Sequence, residues 1–216
     1  MELNKYIDHT LLKPTATFDD IEKLCHEADI YKFFSVCVNG AYIHLAKELL
    51  RDSEVAICGV VGFPLGAMSG KSKVYEAEQS IEDGADEIDM VINIGGLKSG
   101  KHSEVLQEIS FIRNVLKRHT LKVIIETCYL TDLEKTTACK IAVDAGADFI
   151  KTSTGFGTGG ATYSDIKLMK KAINGKAKLK ASGGIKDYNT AKEYIDLGVD
   201  RIGTSNGIRI VKKINL

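Results

Sequence analysis

Two rhythms of apolar positions alternate along the chain. The first repeats every three to four residues and marks one face of a helix: Phe18, Ile21, Cys25 and Ala28; Ile43, Ala46 and Leu50; Val74, Ala77 and Ile81; Val105, Ile109, Ile112 and Leu116; Ile166, Met169 and Ile173. Between these faces lie short, nearly continuous apolar runs at 33–38, 55–61, 88–92, 121–125, 149–151, 177–181 and 201–205, with a weaker one at 5–10. Such runs suit parallel strands covered on both sides. Three junctions repeat one motif: Gly84-Ala85-Asp86, Gly146-Ala147-Asp148 and Gly198-Val199-Asp200, each followed at once by a strand. Each reads as a helix stopped by glycine, then a tight turn. Eight strands alternating with helices predict a single-domain α/β protein over 1–216, a (βα)8 TIM barrel with little decoration. A doubly wound open sheet is the alternative.

A chain of 216 residues can bury roughly 70% of its unfolded surface. Lys+Arg and Asp+Glu are equal at 29 each, which gives no basic surplus to hold nucleic acid or an anionic membrane. The longest weakly polar run, 56–68, is too short and too broken by Gly and Pro to span a bilayer. The first ten residues lack the apolar segment of a signal peptide. Five cysteines without a C-x-x-C pair fit a reduced, cytoplasmic setting.

Several familiar motifs fail on inspection. "GFGTGG" at 155–160 has no acidic residue about 20 positions on, as a dinucleotide site requires. "GGLKSGKH" at 95–102 puts His102 where a P-loop needs Ser or Thr, and "GAMSGKS" at 66–72 is one residue short. The five histidines have no metal-ligand spacing, so no metal and no other cofactor is expected.

In a barrel, sites lie at the C-terminal ends of the strands. Those ends carry Asp8, Cys37, Asp89 with Asn93, Glu126, Lys151, Lys180 and Ser205. Asp89 and Lys151 hold the same place in the repeated motif, and Lys180 ends the next strand. Any one of these charges could simply reach solvent or pair with a neighbour; the three together suggest chemistry. Two ammonium groups brought close disfavour each other's charge, and one lysine can then act as a free amine at neutral pH. A free amine forms a Schiff base with a carbonyl, which permits carbon–carbon cleavage without a metal, and a carboxylate can move the protons. The last two loops, "ASGGIK" and "GTSNGI", stand where barrels often bind phosphate, which singles out Gly183, Gly184, Gly203 and Ser205.

Together "IDHTLLKP", "EIDMVINIG", "KVIIET", "DFIKTSTGF" and "KASGGI", in this order over nearly the whole chain, resemble the deoxyribose-phosphate aldolases, a family of class I (Schiff-base) aldolases. The resemblance implies a (βα)8 barrel that reversibly cleaves 2-deoxy-D-ribose 5-phosphate to D-glyceraldehyde 3-phosphate and acetaldehyde, in the breakdown of deoxynucleosides. It implies Lys151 as the Schiff-base lysine, Lys180 as the second lysine that lowers its pKa, and Asp89 as acid/base. Asp8, Thr10 and Cys37 would line the pocket with Thr154 and Gly155, and Gly183, Gly184, Gly203 and Ser205 would hold phosphate. The partners implied are small sugar phosphates and aldehydes, and the protein would be a homo-oligomer, a dimer or a tetramer. The chain departs from some members at Phe156, where a lysine can stand, at Asn206, where a second serine can, and at Lys186, often an arginine. Another Schiff-base sugar-phosphate aldolase, a transaldolase-like barrel or a non-catalytic sugar-phosphate binder would share parts of this pattern.

Overall fold

The computed structural model describes residues 2–213. Its strands are β1 (Ile7–Leu11), β2 (Ser35–Val38), β3 (Ala56–Val61), β4 (Glu87–Val91), β5 (Thr120–Ile124), β6 (Phe149–Lys151), β7 (Lys178–Ser182) and β8 (Arg201–Thr204). All pair in parallel with their sequence neighbours, and β8 returns to β1, which closes the barrel and excludes the open sheet. The helices are α1 (Phe18–Ile30), α2 (Ile43–Leu49), α3 (Gly70–Glu82), α4 (Ile94–Lys98), α5 (His102–Leu116), α6 (Asp132–Asp144), α7 (Tyr163–Ile173), α8 (Tyr188–Asp196) and α9 (Gly207–Val211).

Strand parity divides the side chains into two sets. Val36, Ile57, Ile88, Met90, Leu121, Val123, Ile150, Leu179 and Ile202 face outward into the main apolar core, against Ile21, Ile43, Ile109, Ile112, Ile166 and Met169 of the helices. Each such side chain contributes about 1.5–3 kcal/mol on burial. The residues of opposite parity fill the barrel, where Leu12, Cys37, Cys58 and Val60 form only a small apolar cluster. The centre of the interior is charged, with Val91, Ile124 and Phe149 as further apolar neighbours of the same parity. Phe18, expected on the buried face of α1, is 65% exposed, because it opens the helix and packs edge-on against Tyr42 at 5.8 Å.

The three repeated junctions share a device. Gly84, Gly146 and Gly198 all have left-handed φ, at 105°, 85° and 95°. The aspartate two residues later then turns back on the preceding strand. Asp86 accepts from the Ile57 N–H at 2.9 Å, Asp148 from Leu121 at 2.8 Å and Asp200 from Leu179 at 2.9 Å. Each aspartate also donates its own N–H to the carbonyl of that same residue. Thus β3–β4, β5–β6 and β7–β8 are each stitched by backbone and side chain together. Helix starts are capped as firmly: Thr17 with Asp20 and Thr131 with Glu134 form reciprocal capping boxes, and Ser69, Thr162 and Asp187 cap α3, α7 and α8.

Candidate active site

Asp89, in the middle of β4, faces the barrel axis and is wholly buried. Its Oδ2 accepts from Lys151 Nζ and from Lys180 Nζ, both at 2.7 Å. Its Oδ1 accepts from Lys122 Nζ at 2.9 Å and from Cys58 Sγ at 3.1 Å. Lys180 also pairs with Asp8, and Lys122 with Glu87 at 2.6 Å. Arg201 closes the lower part of the network through Asp8 at 2.7 Å and Glu87 at 3.3 Å. The motif equivalence of Asp89 and Lys151 therefore holds: both point inward and touch.

Burial works against every charge here, and pairing decides the outcome. Burial alone would raise the Asp89 carboxyl, yet Lys122, Lys151 and Lys180 hold it well below the ordinary carboxylate range. Asp8 is likewise raised by burial and lowered further by Lys180, Arg201 and Lys122. Burial would lower Lys180, but Asp8 and Asp89 push it well above the ordinary lysine value. Lys122 is raised in the same way, chiefly by Asp89. Asp8 and Asp89 thus favour the ammonium form of Lys180, which lies one carboxylate oxygen away from Lys151.

Above this network opens a cavity of about 280 Å³. Lys151 reaches it, and Thr10, Thr154, Gly155, Gly183, Gly184, Gly203 and Ser205 line it, together with Lys13, Phe156, Ser182, Lys186 and Asn206. Asp8, Cys37, Asp89 and Lys180 do not line it. They lie fully buried among the barrel-filling side chains. Cys37 pairs in register with Cys58 across β2–β3, and the neighbouring Cys58 side chain draws its thiol pKa below the ordinary value. Glycine is required by space at Gly203, where a Cβ would lie 2.3 Å from Ser182 Oγ and 3.1 Å from Lys180 Cε. At Gly160 a Cβ would lie 2.3 Å from the Gly183 carbonyl oxygen, so the loops after β6 and β7 touch backbone to backbone. Thr204 Oγ1 donates to the Ile185 carbonyl at 2.7 Å and accepts from the Asn206 N–H at 2.9 Å, which braces the two loops expected to hold phosphate. Cys37, Cys58 and Asp89 place possible metal ligands within 4.8 Å of one another, but three lysine side chains already occupy the carboxylate, where a cation would have to displace them.

The profile of the DeoC/LacD family aldolases matches residues 3–210. The chain belongs to this family. The deoxyribose-phosphate aldolase of Finegoldia magna is 59% identical over 212 residues, 98% of this chain and 100% of the relative. That of Carboxydothermus hydrogenoformans is 55% identical over 215 residues, 98% of this chain and 94% of the relative. Among solved structures, the tetrameric deoxyribose phosphate aldolase of Aeropyrum pernix superposes with a TM-score of 0.91 at 32% identity, covering 97% of this chain and 89% of that one. The aldolase is accordingly a lyase on a TIM barrel.

Sequence reasoning missed four members of the aldolase's interior network: Cys58, Glu87, Lys122 and Arg201. The signal was present in "LKVII", where Lys122 sits in register with Asp89 and therefore shares its inward parity. Lys13, at the cavity mouth, was missed because its segment after β1 has no periodic pattern.

Proposed function

We propose that this aldolase reversibly cleaves 2-deoxy-D-ribose 5-phosphate to D-glyceraldehyde 3-phosphate and acetaldehyde through a Schiff base on Lys151. The observation that carries the reading is the placement of Lys151 at the cavity, with its Nζ on the same Asp89 oxygen as Lys180. Four cationic side chains face three carboxylates in the barrel. A free lysine amine is the form that attacks a carbonyl, and Lys151 is the lysine of this network that reaches the cavity.

Attack on C1 of the open-chain sugar gives a carbinolamine, which loses water to an iminium. A base takes the C3 hydroxyl proton, the C2–C3 bond breaks, and its electrons flow into the iminium to give an enamine. Glyceraldehyde 3-phosphate leaves. Protonation at C2 and hydrolysis then release acetaldehyde and the free lysine. Lys180 and Asp89 are the groups placed to relay these protons, Asp89 by way of water. The glycine loops with Gly183, Gly184, Gly203 and Ser205 would hold the phosphate, with Lys13 and Lys186 supplying charge at the mouth. Thr10, Thr154 and Gly155 would contact the sugar. Cytoplasmic deoxyribose-phosphate catabolism and a homo-oligomeric assembly complete the reading.

Borohydride reduction in the presence of acetaldehyde, followed by peptide mass spectrometry, tests it. One ethyl adduct on Lys151 is the expected result. Labelling scattered over surface lysines would overturn the assignment. Lys151→Ala should abolish both adduct and turnover.

A further inference from the structure

Glu126 follows β5 and is 1% exposed. Its backbone is left-handed, with φ 54° and ψ 69°. Among the described residues the other non-glycine positions with positive φ are Lys32, Lys117, Asn174 and Lys213, and all four are exposed. Glu126 alone holds this conformation in the interior, where a glycine would adopt it without strain. What a glycine lacks is the carboxylate, and that carboxylate is fully used. It accepts from the Thr154 N–H at 3.2 Å and from the Thr154 hydroxyl. Because the hydroxyl donates to Glu126, its oxygen is free to accept from the Phe156 N–H, at 3.0 Å. Phe156 N–H, Thr154 Oγ1–H and the Glu126 carboxylate thus form one directional chain, in which each bond polarises the next. The loop also packs tightly on this group: a Cβ at Gly157 would lie 2.7 Å from Cys128 Sγ and 3.3 Å from Glu126 Cδ. On the far side, Phe156 meets Phe63 of the loop after β3 edge-on, with ring centroids 5.4 Å apart.

We propose that Glu126 is a positioning residue for substrate: its buried carboxylate fixes the turn Thr154–Phe156, one wall of the cavity above Lys151. This rests on the aldolase reading given above. The residue acts on the shape of the pocket and not on the imine chemistry. Burial raises the Glu126 carboxyl above its ordinary value, and the Thr154 donors offset only part of that rise.

Glu126→Gln keeps the shape but presents an amide where two donors converge. The expected result is a KM for 2-deoxyribose 5-phosphate raised about tenfold with kcat within about threefold, the pattern of lost ground-state binding. Borohydride trapping of acetaldehyde on Lys151 should remain at the parent level. Thr154→Val, which removes only the hydroxyl, should raise KM in the same way, and the double variant should be no worse than the poorer single one. A fall in kcat and trapping with KM unchanged, or full additivity, would overturn the proposal. Amide hydrogen exchange gives a readout free of activity. Exchange at Thr154 and Phe156 should quicken in Glu126→Gln; if it does not, Glu126 does not hold the turn. A parent protein that neither turns over nor traps acetaldehyde would strike the aldolase reading, while exchange would still decide the role of Glu126.

Discussion

Asp89 receives four donors on its two oxygens, and three of the four are lysines. Removing any one lysine leaves carboxylates buried with too few partners, which costs about 3–5 kcal/mol. Lys180→Leu should therefore lose turnover and also lower the denaturant midpoint, since both Asp8 and Asp89 lose a partner. The sign of the pH dependence follows from the same contacts. The folded Asp8 and Asp89 carboxyls lie below the unfolded value of 3.8, so their stabilisation is complete above that value and is lost as pH falls through the folded ones. Urea midpoints measured from about pH 5 downward should decline with a shallower slope in Asp89→Asn than in the parent protein.

Elements show why reading the sequence succeeded in some places and failed in others. Parallel strands packed outward against helices announce themselves as apolar runs, so all eight were legible, as was the closure implied by their number. The repeated Gly-Ala/Val-Asp junctions were legible as turns, but not the second task of their aspartates, which depends on the neighbouring strand being one hydrogen bond away. Asp200→Ala should cost about 1–2 kcal/mol in chemical denaturation while leaving imine trapping intact. The loops test the opposite case. Gly160→Ala would drive a methyl group against the Gly183 carbonyl, forcing apart the loops after β6 and β7. Sugar-phosphate binding should weaken several-fold, read as KM, while trapping of acetaldehyde, which has no phosphate, should be spared.

At the scale of the molecule the apolar core is a sleeve around the barrel, and the barrel itself is packed with ions. Their partners come from strands far apart in sequence, Asp8 from β1 and Arg201 from β8, so no local pattern could announce the whole network. Among the described residues no helix is long and apolar enough to cross a membrane. An apolar groove of about 720 Å³ runs between α3 and α5, and Tyr75 and Phe111 stand exposed along it. The charged interior carries a further consequence. Replacing a buried ionic cluster wholesale by well-packed apolar side chains is often neutral or stabilising. Under selection for heat resistance alone, variants of this chain would drift toward a greasy, silent barrel. Those kept active must find their thermostability in the sleeve, the caps and the loops, because in this fold the machine and the keystone are the same atoms.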